Sequence, residues 1–354
     1  MTSPTQAAQP DRLGTRALWF TSPRVAEVRE ESLPDPGEGE VLVRALVSLV
    51  SAGTEMNVYR GQISSWDEVA ARAVGTFPFP IKFAYQTIGE IEEAGARSPY
   101  AVGERVFIRR PHQERSVVAA EDPATSRDIH PVPRDLDPRR AIFANLFTVA
   151  FNTLLDAPAR IGDVVAVSGL GVIGTFAAQL ARLTAGRLIL VDPLPGRLER
   201  AAWIGADAAV SPDDAVEAIM GLSDGRGADL YIEASGATPA LQTGIDATGA
   251  EGAVAVLSYY GNREAVLRLS PEFHLRRQRI ISCFVGAASV GSGLQPRWTS
   301  GRRVATAFER LRDIDTERLI SHTVPFVEAP SAYRLIDERP QETLGVILDY
   351  GNQT

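Results

Sequence analysis

The chain has 354 residues, 45% hydrophobic and 23% charged, a formal net charge of -8 and a single cysteine, Cys283. That length is enough for two domains with cores of their own. The acidic balance excludes non-specific nucleic-acid binding, which needs a basic face, and one cysteine excludes an internal disulfide. The most apolar stretch, "VVAVSGLGVIGTFAAQLARL", is interrupted by glycines, so no membrane span is expected. The opening "MTSPTQAAQPDRLGT" has no basic segment followed by an apolar run and reads as a short disordered arm rather than a signal peptide. A cytoplasmic protein is the expectation.

In chain order, the first third reads as β. "ALWF", "RVAEVREESL", "EVLVRALVSLV", "YQTIGEIEEAG", "ERVFIRR" and "ERSVVAA" are short runs rich in Val, Ile and Phe, punctuated by Gly, Pro and Asp. The pattern changes near residue 138. "DPRRAIFANLFTVAFNTLLDA" carries apolar residues at helical spacing, with Asp137 as N-cap and Pro138 at the first helical position. Alternating units follow: strand "DVVAVSG", helix "VIGTFAAQLARLTA", strand "RLILVD", helix "LPGRLERAAWIG", strand "ADAAV", helix "PDDAVEAIMGLS", strand "ADLYIEASG", helix "TPALQTGIDAT", and strands "AVAVLSYYG" and "RIISCFVGA". This alternation predicts a parallel sheet covered on both faces. From about residue 300 the chain returns to mixed structure, "RRVATAFERLRD", "HTVPFV", "APSAYRLIDE" and "LGVILDY". The fold class is therefore α/β: a β domain over 1–145, a doubly wound domain over 146–287, and a terminal segment over 288–354 that rejoins the first.

"VVAVSGLGVIG" places Gly169, Gly171 and Gly174 in a G-x-G-x-x-G pattern between a strand and a helix. In that context the first glycine permits the tight turn, the second the approach of a pyrophosphate, and the third close packing of helix on strand. The helix start at Val172 and Ile173 offers free N–H groups and a partial positive charge to phosphates. The next strand ends at Asp192, 18 residues after Gly174. A carboxylate there accepts from ribose hydroxyls and repels a 2′-phosphate, so NAD(H) is expected over NADP(H). Arg197 is the residue to suspect should NADP(H) be preferred.

With these residues in view, the chain resembles the medium-chain dehydrogenase/reductase superfamily over nearly its whole length. "VSAGTEMNVYRG" and "YQTIGEIEEAG…VGERVF" look like its GroES-like domain; "VSGLGVIG…LVD", "IEASG" and "GAVAVLSYYG" look like its Rossmann domain. "SAGTE" and the "PHQE" loop look most like the branch that includes bacteriochlorophyllide dehydrogenase-like proteins. The resemblance implies an NAD(P)-dependent oxidoreductase, a homodimer or homotetramer, with cofactor contacts at Thr148, Ser235, Ser258, Tyr259 and Tyr260. Many members hold a catalytic zinc with Cys, His and Cys. Here those positions read Ala52, the segment Ala84-Tyr85-Gln86, and Ala144, and the four-cysteine lobe of the structural zinc is missing. The histidines His112, His130, His274 and His322 lie far apart with no ligand spacing; only His112 is placed near the substrate cleft. No zinc is expected.

A ketone that accepts hydride develops negative charge on oxygen, and without zinc another group must stabilise it and supply a proton. Tyr85 stands where the zinc-binding histidine is lost. Lys82 is the only lysine in the chain, and an ammonium, unlike a guanidinium, can lose its proton when desolvated. It is a candidate to lower the pKa of Tyr85 or to donate directly. Thr54 and Asn57 are candidates to orient a substrate hydroxyl, and Gln86 to hold another substrate oxygen. The alternative is that Lys82 is a solvated loop residue kept by coding bias and Tyr85 a packing aromatic. The leading function is a zinc-independent, NAD(H)-linked oxidoreductase for a polar alcohol or ketone of cyclitol, sugar or secondary-metabolite kind. An enoyl reductase acting on a conjugated C=C bond and a non-catalytic NAD(P)H-binding protein are the alternatives.

Overall fold

The computed structural model describes residues 13–63, 72–261, 263–285 and 297–351. The N-terminal hairpin pairs Leu13–Ser22 with Val25–Leu33 in antiparallel register and gains two short strands, Ile81–Lys82 and Val74–Gly75, to make a four-stranded sheet. A seven-stranded sheet follows, with the long strand Glu40–Val50 near its centre, flanked by Thr87–Ala94 on one side and Gly345–Asp349 on the other. The last strand of the chain thus pairs with the third, Val346 opposite Val50 and Asp349 opposite Val47. Aromatic packing holds this return in place: Tyr333, from the helix Ala329–Glu338, meets Phe20 at 5.1 Å and Tyr59 at 5.4 Å between ring centroids. The expected crossing back at residue 288 lies outside the described residues.

Between these segments stands a six-stranded, all-parallel sheet. Numbered one to six in chain order from Val164–Ser168, its strands lie 3-2-1-4-5-6. Alternate residues feed two cores. Val165, Val167, Leu188, Leu190 and Ile232 pack on one face, and Val164, Ala166, Ile189, Val191 and Tyr231 on the other. Helices cover both faces, which is why these strands read as continuous apolar runs rather than as alternations. The strand order reverses between the first strand and the fourth, Ala228–Glu233. Ligands of such sheets bind in the crevice beyond the strand C-termini at that reversal.

The helix expected over 138–156 is two, Pro138–Ala141 and Ala144–Asp156. Asp137 caps the first, accepting from the Arg139 N–H at 2.7 Å. The short helix Thr54–Tyr59 was not expected, nor were the strands Val74–Gly75, Ile81–Lys82 and Ile129–Pro131. Two- and three-residue strands show no periodicity; distant pairing creates them. Among the described residues no helix is long and apolar enough to cross a membrane.

Candidate functional site

One wall of the site is built from backbone. Gly169 takes a left-handed φ of 94°, and an added Cβ would lie 2.5 Å from the Ser235 backbone. A Cβ on Gly174 would lie 1.8 Å from the Gly169 carbonyl. The fold itself requires both glycines. Gly171 differs: its φ is an ordinary -68°, and a Cβ there would meet nothing within 4 Å. The protein leaves that space open at the N-terminus of the helix Val172–Arg182, the place and polarity suited to a pyrophosphate. The residues present therefore fit a dinucleotide.

Asp192 ends the second parallel strand and is 2% exposed. Its carboxylate accepts from the Leu170 N–H at 2.7 Å and from the Leu194 N–H at 2.9 Å. It thus fastens the glycine loop, while each oxygen keeps a second lone pair. Arg197 lies 3.8 Å from that carboxylate and donates to the Pro340 carbonyl at 3.1 Å. Glu233, absent from the expected site, organises the neighbouring loop. One of its oxygens accepts from the Ser235 N–H at 2.7 Å and the Gly236 N–H at 2.9 Å; the other accepts from the Tyr260 hydroxyl. Tyr260 therefore holds Glu233 and does not face the cleft, whereas Ser235, Ser258 and Tyr259 line it. Glu233 is the acid of "IEASG", so its signal lay inside a quoted motif.

A cleft of about 570 Å³ separates this wall from the β domain. Thr148 and Ile173 line it beside the glycine loop; Val172 packs into the core instead. On the opposite wall, the helix Thr54–Tyr59 presents Thr54 and Asn57 to the cleft. Tyr85 joins them, its hydroxyl donating to Ser51 Oγ at 2.6 Å. Burial, reinforced by the Glu55 carboxylate, pushes the Tyr85 hydroxyl up to about 12 against its hydrogen bonds with Ser51 and Thr54. Ser51 was not singled out from sequence. Glu55 lies one layer behind, fully buried, accepting from the Tyr333 hydroxyl at 2.5 Å and lying 3.0 Å from His112 Nε2. His112 is thus a support of Glu55 and does not line the cleft.

Two expectations are corrected. Lys82 does not reach the cleft. Its ammonium is 2.6 Å from Glu31 and 3.2 Å from Gln113 Oε1, over the Trp19 ring, inside the four-stranded sheet. Adjacent β residues point to opposite faces, so Lys82 and Tyr85, three apart with an irregular segment between, need not share one. Nor does Lys82 lower the pKa of Tyr85, which is raised. Gln86 is fully buried, its amide donating to the Leu49 carbonyl at 3.3 Å. It braces two segments of chain rather than a substrate. Arg109, by contrast, was missed: it lines the cleft beside Tyr85 and Asn145. In sequence it is the first arginine after a strand, with nothing to set it apart from the other arginines.

The positions that would hold zinc do not fit it. Ala52 and Ala144 carry no donor, and the Tyr85 phenol is held in its protonated form. Among the described residues, no three His, Cys, Asp or Glu side chains form a group able to hold a metal ion.

Residues 172–297 match the family described as zinc-binding dehydrogenase. The D-guloside 3-dehydrogenase of Escherichia coli K12 is 28% identical over 93% of this chain and 98% of its own. The alcohol dehydrogenase TADH of Thermus sp. ATN1 superposes with a TM-score of 0.75 at 21% identity, over 94% of this chain and 99% of that one. A short chain alcohol dehydrogenase of E. coli CFT073, complexed with NADH, gives 0.76 at 19% identity, over 95% and 99%. At these identities the structures show the shared fold, a GroES-like domain with a Rossmann domain.

Proposed function

The chain belongs to the medium-chain dehydrogenase/reductase superfamily, and on that premise we propose that it is a zinc-independent, NAD(H)-linked oxidoreductase for a polar alcohol or ketone, sugar-like, cyclitol-like or from secondary metabolism. The observation that carries this reading is the cleft itself. Ile173, at the start of the helix that follows the glycine loop, lines it together with Thr148 and a cluster of three hydroxyls, Ser51, Thr54 and Tyr85. The sugar dehydrogenase named above supports the substrate class.

When bound, the nicotinamide supplies or accepts the hydride. Tyr85 keeps its proton at neutral pH, because burial and Glu55 hold its hydroxyl near 12. It donates a hydrogen bond to the carbonyl oxygen and then the proton itself as charge develops there, since the phenol remains more acidic than the alcohol being formed. Ser51 receives the Tyr85 hydroxyl in the resting site and is placed to pass a replacement proton to it. Thr54 and Asn57 orient the substrate hydroxyls. Asp192 favours NAD(H), because its buried carboxylate repels a 2′-phosphate. The edge strand Arg279–Ser282, with Ile280 40% exposed, is the surface through which two copies would pair.

The test is a turnover assay of purified protein with NAD⁺ against polyols, sugars and cyclitols, and with NADH against the matching ketones and a set of enones. Turnover of a polyol or its ketone is expected. Reduction of enones alone, or NADH binding without turnover of anything, would sink the reading.

A further inference from the structure

The chain is acidic as a whole, yet its cleft is not. Six arginines line it, Arg60, Arg72, Arg109, Arg127, Arg263 and Arg303, and among the described lining residues there is no aspartate or glutamate. Three of the six have partners close by. Arg60 pairs with Asp337 at 2.6 Å, Arg303 donates to Asn152 at 2.5 Å near Asp156, and Arg72 lies 4.0 Å from Asp128. Asp128 is engaged more closely by Arg110, at 3.0 Å.

Arg263 is exposed and donates to the Tyr259 and Tyr260 carbonyls, whereas Arg109 is half-buried. It follows the strand Arg105–Ile108, and its guanidinium donates to the Arg127 carbonyl at 2.6 Å and to Asn145 Oδ1 at 3.0 Å. Both acceptors are neutral, and among the described residues no carboxylate stands within ion-pair distance of it. Burial, then the charge of Arg72, pulls it down to about 10 even though Asp128 and Tyr85 act the other way. A partly buried charge of this kind is costly unless something pairs with it. Two bonds leave N–H groups of the fork unused, and a guanidinium fork suits a two-oxygen anion. Asn145 is one helical turn before Thr148, and Arg109, Asn145 and Tyr85 line the same cleft, so these N–H groups share that space with the Tyr85 hydroxyl.

We propose that Arg109, held by Asn145, binds an anionic oxygen group on the substrate, a carboxylate or a phosphate, so that an acidic hydroxy compound such as a sugar acid or sugar phosphate is preferred to a neutral polyol. The substrate class rests on the oxidoreductase reading above; the anion site does not.

Two measurements separate them. Calorimetric titration of NADH-saturated protein with malonate and with inorganic phosphate, against glycerol as the neutral control, reads the site directly. Saturating NADH fills the pyrophosphate position. One of the two anions should bind and glycerol should not, and which anion binds tells carboxylate from phosphate. Arg109→Gln should weaken that binding at least about 10-fold, and Arg109→Lys by less, since an ammonium keeps the charge and loses the fork. Steady-state rates with a hexitol, its aldonate and its phosphate then test the substrate. The acidic form should lead in kcat/KM by about 10-fold or more, with Arg109→Gln erasing the lead through KM. If neither anion binds, or if Arg109→Gln binds it as the wild type does, the inference is overturned. Anion binding with no turnover of any alcohol would leave the anion site standing and remove the oxidoreductase reading. Turnover of neutral polyols on equal terms, unchanged in Arg109→Gln, would do the reverse.

Discussion

The two walls of the cleft are made by different means. The parallel-sheet wall, with Ile173, Ser235 and Gly236, is positioned by the backbone behind it: two glycines whose missing side chains let segments touch, a helix N-terminus, and two carboxylates, Asp192 and Glu233, that fasten loops by their N–H groups. The β-domain wall is side chain: hydroxyls, an amide and a guanidinium brought together from residues 51, 54, 85, 109 and 145. A backbone site needs consecutive residues in a fixed order, so it is written as a motif. A side-chain site needs only that distant segments meet, and any residue of the right chemistry serves.

That contrast explains what the sequence could and could not tell. The glycine triplet, Asp192 and the strand–helix alternation were legible because each depends on neighbours in the chain. Thr54, Asn57 and Tyr85 were found only by their place relative to a lost metal site. Lys82 is rare without being reactive; its partners Glu31 and Gln113 lie 51 and 31 residues away, beyond the reach of any local pattern. Arg109 was invisible because an arginine that lacks a carboxylate partner looks, in sequence, like one that has it.

The strongest test of the backbone wall sets its glycines against each other. Gly174→Ala forces a Cβ to 1.8 Å from the Gly169 carbonyl and should abolish cofactor binding with a loss of folded protein. Gly171→Ala meets no protein atom, so its thermal midpoint should be unchanged while NADH affinity falls. Equal loss of stability in both would show that the space at Gly171 is not kept for a ligand.

In the β domain behind the side-chain wall, pH is the probe. Burial, helped by Arg109, pushes His130 down to about 4 in the folded protein, against about 6.5 when unfolded. The folded value is depressed, so the stability this brings is present above about 6.5 and lost as pH falls through 4. The loss should reach about 3 kcal/mol, read as the shift in urea unfolding between pH 7 and pH 4. A substitution His130→Phe that left this pH dependence intact would refute the assignment.

Lys82→Met should destabilise the protein by about 2 kcal/mol, because Glu31 loses its partner in a partly buried place. Its kcat should stay within about 3-fold of wild type, since the ammonium lies outside the cleft. A fall of about 10²-fold at unchanged stability would restore Lys82 to the chemistry. The smallest effect concerns Asp192. Asp192→Ser should move the ratio of NAD⁺ to NADP⁺ use by about 10-fold, or 1.4 kcal/mol, towards NADP⁺. A wild type that already favours NADP⁺ would contradict the ribose role.

The central claim is that a tyrosine hydroxyl, and not a zinc ion, meets the charge on the substrate oxygen. It is tested most directly by the turnover of chelator-treated, zinc-free protein, wild type against Tyr85→Phe, across pH 6 to 9. Because burial and Glu55 raise the Tyr85 hydroxyl to about 12, it stays protonated throughout this range. The wild type should therefore reduce its ketone at a rate that changes little with pH and oxidise the alcohol faster as pH rises. Tyr85→Phe should lose about 10²-fold in kcat with NADH affinity unchanged. Activity that disappears with the chelator, returns with zinc and is indifferent to Tyr85→Phe would contradict the account.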